Sequence, residues 1–391
     1  MSAAPGVWSR LVGQSRAIDS LRTAAGGHGM THAWLFTGPP GSGRSNAAIA
    51  FAAALLCTAP DGPGGPGCGE CQACRTVLAG THSDVSRFTT QRIVFGVETA
   101  RDMVKKGALT PVTASRQIMV VEDADRFSER AGNAVLKAIE EPHPRTVWLL
   151  CAPTVEDVLP TIRSRCRQVN LVTPSTADVA DFLVRTADVD PSLAAYAARA
   201  SQGHVGRARA LALDEPARNR RREVVSIPAR LRDVGSAVQA AANLHEMAKE
   251  EAQAITEVLD AKEKEDLDAS YGVEQRGRRP REYAPALKAL GEEQKARARR
   301  MVIDVVDRGL MDLASVYRDA VALSWQAPGA LVNEEVRGDV KTVARQSTPA
   351  LNLRRIDAIF AAREQMTEFN VPPLLALEAM MVALQVPEEA R

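Results

Sequence analysis

Three groups of residues have types and spacings that can do chemistry. The first is GPPGSGRS at residues 38–45, in which Gly38, Gly43 and Ser45 fit the phosphate-loop pattern G-x-x-x-x-G-K-[ST] and Arg44 stands where the pattern has Lys. Gly38, Gly41 and Gly43 permit backbone conformations that turn successive N–H groups toward one anion, and a helix over 46–56 adds its positive N-terminal end. Ser45 is the expected Mg²⁺ ligand. A lysine reaches the β- and γ-phosphates as a compact charge, whereas an arginine is a longer planar fork, so efficient hydrolysis is not expected. Whether ATP or ADP with Mg²⁺ occupies the loop stays open, because glycine geometry alone can retain a nucleotide without turnover. The plainer alternative is a Gly/Pro turn joining a strand to a helix.

The second group is Cys57, Cys68, Cys71 and Cys74. Two-residue gaps aim neighbouring sulfurs at one metal, and four thiolates close a tetrahedral site, so a structural Zn²⁺ is expected over the module 57–74. In a reducing compartment metal binding is favoured over disulfides. An iron–sulfur cluster competes, but its usual spacings differ. Cys151 and Cys166 stand apart and read as packing residues. The third group is Glu122-Asp123, at the carboxyl end of an apolar strand over 117–121, where phosphate-loop enzymes hold Mg²⁺ and activate water. The usual order is Asp then Glu; reversal changes the reach of each carboxylate by a methylene, and Asp123 is retained as the nucleotide-side acid. The alternative is that these acids cap the next helix.

The elements that must carry these groups alternate. A helical segment over 7–26, strands over 32–36, 117–121 and 146–152, and helices over 97–106 and 133–142 argue for a parallel α/β sheet with its motifs at the strands' carboxyl ends. Short helices follow over 173–214. Long helical runs then occupy 234–259, 293–325, 353–369 and 373–384. The charged stretch 263–281 reads as a mobile linker between the first two of these. The chain of 391 residues thus divides into 1–172, 173–214 and 215–391. Lys+Arg of 49 against Asp+Glu of 48 gives no overall charge argument for nucleic acid, so any basic surface is local. The N-terminal MSAAPGVWSR has no basic region leading into an apolar run, and no stretch reaches membrane-spanning length; the expectation is a cytoplasmic protein without a membrane partner.

Taken together, GPPGSGRS, the four cysteines, NAVLKAIEEP at 133–142 and Ser164-Arg165-Cys166 resemble the bacterial sliding-clamp loader family, an AAA+ assembly of DNA polymerase III. The resemblance covers the first 210 residues or so and reaches the rest only through its helical character. It implies a RecA-like α/β domain with an inserted zinc module, a small helical lid and an all-α collar. Arg44 and the reversed acid pair resemble the delta-prime branch and differ from the gamma/tau motor branch, which keeps Lys and Asp-Glu; an ATP-hydrolysing motor subunit is the alternative.

The family also implies residue roles. Arg165 is expected to project into a neighbour's ATP site as an arginine finger, with Arg163 and Arg167 as weaker candidates or solvated charges. Thr154 matches the polar residue that orients water. In SQGHVGRARA at 201–210 the expected arginine falls on Gly206, and the shift to Arg207 turns the side chain by about 100°. Such a subunit does not hydrolyse ATP by itself. Arg101 and Lys137 match helix residues that follow the DNA backbone. The implied partners are the gamma/tau and delta subunits, the beta sliding clamp and primer-template DNA.

Overall fold

The computed structural model describes residues 6–60, 65–90, 94–273 and 280–385. The chain forms two compact units, residues 1–213 and 214–391. In the first, a 3₁₀ turn at Gly6–Arg10 and helix α1 (Ser15–Ala25) lead to strand β1 (Ala33–Thr37), then α2 (Arg44–Leu55), α3 (Gln72–Ala79), β2 (Val85–Phe88), α4 (Val97–Gly107) and β3 (Gln117–Val121). Helix α5 (Glu129–Glu140), β4 (Thr146–Ala152), α6 (Pro160–Arg163), β5 (Arg167–Asn170), α7 (Thr176–Ala187), α8 (Pro191–Ala200) and α9 (Val205–Leu213) complete it.

The five strands run parallel in the order β2-β3-β4-β1-β5. Parallel pairing requires crossovers that cover both faces, so the central strands AWLFT, QIMVV and TVWLLCA are buried along their whole length. One face packs on α2, where Ala47, Ala48, Ala50, Ala52, Ala53 and Ala54 let helix and sheet approach closely; Phe51 fills the gap edge-on to Trp34, with ring centroids 4.9 Å apart. The other face packs on α4 and α5 through Met103, Val135 and Ile139. This is the α/β architecture that the resemblance implied. Sequence reading found three strands. The two it missed, VSRF and RQVN, lie at the sheet's edges with only one residue each buried, so they lack the apolar run that marks a central strand.

The second unit is all helical: α10 (Glu215–Arg230), α11 (Val234–Ser270), α12 (Tyr283–Ser324), α13 (Arg337–Gln346), α14 (Pro349–Thr367) and α15 (Pro373–Ala383). Its apolar core draws on α11 only as far as Ala248 and on α12 from Val302 onward. There the buried Arg221 joins three elements, donating to Asp312 Oδ1 at 3.2 Å and Asn333 Oδ1 at 2.6 Å and pairing with Glu335.

The linker expected over 263–281 is corrected. Helix α11 continues to Ser270 and α12 begins at Tyr283, while residues 274–279 lie outside the described residues. Composition was misleading because two acids of this stretch are held by the neighbouring helix: Glu263 is paired with Arg297, 7% exposed, which also meets Asp260 at 2.7 Å, and Asp268 Oδ1 accepts the Tyr283 hydroxyl at 2.5 Å. At ~1.5 Å per residue the 37 and 42 residues of these helices make rods of about 55 and 63 Å.

Candidate functional site

Because all five strands are parallel, their carboxyl ends share one edge of the sheet, and the glycine loop after β1, Glu122-Asp123 after β3 and Thr154 after β4 gather there. Beyond β1 the chain enters the glycine loop, tied to β4 by the Gly38 N–H donating to Pro153 O at 3.0 Å. Gly43 closes the loop with φ +92° and is the N-cap of α2. Gly41 has φ +82°, and an added Cβ would lie 2.3 Å from His204 Cγ. His204, at the start of α9, therefore sits directly on the loop and accepts from the Arg207 N–H through Nδ1 at 3.2 Å. Gln14 braces the other side, donating to Ser42 O at 3.3 Å and Val172 O at 2.7 Å. His204 and Gln14 carry no motif spacing, and sequence reading did not find them as loop contacts.

A backbone cradle for an anion is thus built, and the buried Ser42 Oγ has no hydrogen-bond partner among the described residues. The charged groups around it are turned to internal partners. Arg44 Nη1 donates to the loop's own Gly38 carbonyl at 2.7 Å. Glu122 accepts Arg87 at 2.6 and 3.1 Å. Asp123 Oδ2 accepts the Thr89 hydroxyl at 3.2 Å and the Thr90 N–H at 3.1 Å, and Arg126 lies 3.9 Å away. The neighbouring Asp125 is held above the ordinary carboxylate range, because burial outweighs the pull of the Arg126 and Arg44 charges. Ser45 stands half-buried in the first turn of α2. Thr154, beyond β4, is exposed and caps its own turn: it donates its N–H to Asp157 Oδ2 at 3.0 Å and accepts the Asp157 N–H on Oγ1 at 3.3 Å.

The four cysteines converge. Their sulfurs all lie within 4.8 Å of one another, against about 3.8 Å between ligands of a tetrahedral zinc thiolate site. Cys71 begins α3 as its N-cap, accepting the Cys74 N–H at 3.4 Å, and Cys68 Sγ accepts the Cys71 N–H at 3.3 Å. Burial pushes the Cys71 thiol up, but the Cys74 N–H and the Thr58 groups outweigh it and hold the pKa at about 6. Cys57 is also lowered, its burial outweighed by backbone N–H groups including that of Cys68. Burial raises Cys74, whose Sγ lies 3.5 Å from Ala53 O. The donor set and its spacing fit a four-thiolate metal. The module rests on the N-terminal turn: Trp8 Nε1 donates to Pro66 O at 2.9 Å and Val7 N–H to Gly67 O at 3.0 Å. Residues 61–64, within the Gly- and Pro-rich stretch 61–67 that leads into the module, lie outside the described residues. Cys151 is fully buried and raised; burial takes Cys166 up to about 12.

Arg165 follows α6 and is partly exposed, ion-paired to Glu140 at the end of α5. Arg167, expected as a weaker finger candidate or a solvated charge, is exposed, with its guanidinium 4.9 Å over the Trp34 ring and Nη1 donating to Gly29 O. Arg101 on α4 and Lys137 on α5 are exposed, on helices that pack against each other.

Comparison with known proteins agrees with the resemblance. Residues 13–175 match the family model described as "DNA polymerase III, delta subunit". The chain is 34% identical over 163 residues to the DNA polymerase III subunit delta' of Pseudomonas aeruginosa, covering 41% of this chain and 49% of that one. The Escherichia coli subunit delta' is 32% identical over 182 residues, 46% of this chain and 54% of that one. The gamma/tau subunit of Mycobacterium tuberculosis is 29% identical over 162 residues, 41% of this chain and 28% of that one. The chain spans about half the length of the delta-prime relatives it matches, and over that stretch it is delta-prime-like. No helix among the described residues is long and apolar enough to cross a membrane.

Proposed function

We propose that this chain is the non-motor delta-prime subunit of a sliding-clamp loader. In that role it holds gamma/tau and delta partners together, presents Arg165 to the adjacent gamma/tau ATP site and helps place the beta clamp on primer-template DNA. The observation that carries the non-motor reading is the internal engagement of Arg44, Glu122 and Asp123: the three charges a phosphate-loop ATPase aims at nucleotide are bonded to Gly38, Arg87 and Thr89-Thr90. Arg165 lies on the exposed surface, where a guanidinium can stabilise charge on a neighbour's γ-phosphate and make hydrolysis depend on assembly. The four-cysteine module holds Zn²⁺ as a structural ion, fastening α3 and the N-terminal turn. Arg101 and Lys137 give salt-sensitive, sequence-independent contacts to the duplex backbone.

Domain limits of 1–172, 173–214 and 215–391 assign α7–α9 to the lid and α10–α15 to the collar. The motor reading keeps one point in its favour, the gamma/tau relative that matches much the same stretch. ATP hydrolysis by the reconstituted loader, with clamp and primed DNA, separates the two. Arg165→Ala is expected to remove the share of the stimulated rate contributed by the single site it serves, while the isolated chain shows no turnover. An unchanged rate rejects the finger, and hydrolysis by the isolated chain replaces the scaffold with a motor.

A further inference from the structure

Arg165 is not free in the folded chain. Its Nη1 donates to Thr161 O at 2.7 Å and contacts Ser164 Oγ at 3.0 Å, and its Nη2 is ion-paired with Glu140 Oε1. Glu140 is the last residue of α5, where unpaired carbonyls already gather negative partial charge, so a carboxylate there opposes the helix field. Local helix stability gives no reason for an acid at this position. The cation that the structure supplies to it is Arg165.

A second contact fixes the geometry. At Gly132, two turns earlier on α5, an added Cβ would lie 2.2 Å from Leu159 Cδ1 and 3.7 Å from Ile162 Cδ1. Helix α5 is therefore flush against the segment that carries Arg165. Both side chains of the ion pair remain reachable from solvent, at 39% and 33% exposure.

We propose that Glu140 is a positioning residue for Arg165: it latches the guanidinium against α5 and yields it when the γ-phosphate of a neighbouring subunit's nucleotide competes for the same nitrogen. The inference rests on the finger reading above. A guanidinium offers five N–H groups in a fixed fork, and the contacts to Thr161 and Ser164 hold its Nη1 side. The Nη2 side is held by a partly exposed anion, and an anion of higher charge outcompetes it. The triphosphate does so when the two subunits are aligned. Once phosphate leaves, Glu140 takes the guanidinium back. The latch thus suppresses hydrolysis in loaders whose subunits are not yet in register.

The test uses the loader reconstituted with wild-type chain, Glu140→Gln, Arg165→Ala and the double variant, assayed for ATP hydrolysis with and without clamp and primed DNA. An exposed ion pair sets the scale, so Glu140→Gln is expected to raise the unstimulated rate about two- to five-fold and to shrink the ratio of stimulated to unstimulated rate. In the Arg165→Ala background the same substitution is expected to change nothing. A thermal melt of each variant checks folding; if Glu140→Gln does not fold, Glu140→Asp, which keeps the charge and loses reach, is expected to give a smaller rise. An unstimulated rate at or below wild type overturns the latch, as does a rise that persists without Arg165. A stimulated rate unaffected by Arg165→Ala overturns the finger reading instead.

Discussion

Asp84 offers the sharpest quantitative test of the fold that carries the site. It is 1% exposed, immediately ahead of β2. Oδ2 accepts the Thr113 N–H and hydroxyl, both at 2.8 Å, and the Ala114 N–H at 2.7 Å; Oδ1 accepts the Val112 N–H at 2.7 Å. One carboxylate thus moors the connection between α4 and β3, the strand that ends in Glu122-Asp123. Burial alone would raise its pKa, but these four donors outweigh it and hold the group below the usual value. Asp84→Asn keeps the shape and one acceptor oxygen. That oxygen can serve the three donors of Oδ2 as neutral bonds, which sets the amide NH₂ against the Val112 N–H. One charge-assisted bond is lost and three weaken, partly offset by water at the exposed Val112, for a net cost of about 2–4 kcal/mol.

In a unit of this size that lowers Tm by about 4–16 °C. Unfolding of the full chain followed by tryptophan fluorescence reads it, since Trp8, Trp34 and Trp148 lie in the first unit and Trp325 alone in the second. The pH dependence has a definite sign. With a depressed pKa, the stabilisation is fully present above the ordinary aspartate value near 4 and is lost as pH falls through the lower, folded value. The gap between wild type and Asp84→Asn is therefore widest at neutral pH and closes in acid. A shift below 1 °C at neutral pH, or a gap that widens in acid, refutes the reasoning.

Metal analysis of the purified chain is expected to find one zinc per chain, and Cys71→Ser or chelation to cost several kcal/mol of the ~10 kcal/mol that structural zinc binding supplies; full stability without metal would refute the module. Arg297→Met leaves Asp260 and Glu263 without their cation; both are partly exposed and regain water, so the cost is about 1–3 kcal/mol. Hydrogen exchange should then quicken over 255–270 and 283–300 while α12 beyond Val305 keeps its protection, and uniform exchange along α12 would count against a separately held hairpin. Arg44→Lys is expected to leave the isolated chain without ATP turnover, because Arg87 still holds Glu122; measurable turnover would show that the lysine alone was lacking.

The features legible in the sequence are those whose physics is local. A glycine loop between an apolar strand and an alanine-rich helix states its geometry within a dozen residues, and C-x-x-C-x-x-C brings its own turns and N–H donors to sulfur. The three central strands declare themselves because burial on both faces demands an unbroken apolar run. The edge strands β2 and β5 do not, since each buries a single residue. The charged run after residue 262 looked like a linker because composition records charges and not their partners, and Arg297 stands 34 residues from Glu263.

Sequence by itself therefore determined the chemistry available to this protein: an anion cradle with an arginine in place of lysine, four thiolates in reach of one another, and an arginine after a short helix. Only the tertiary structure decided how those charges are disposed. Arg87 meets Glu122 across 35 positions of sequence, His204 reaches Gly41 across 163, and Glu140 meets Arg165 across 25. An ion pair's strength depends on distance and burial in space, and chain order fixes neither until the sheet has closed and the helices have packed.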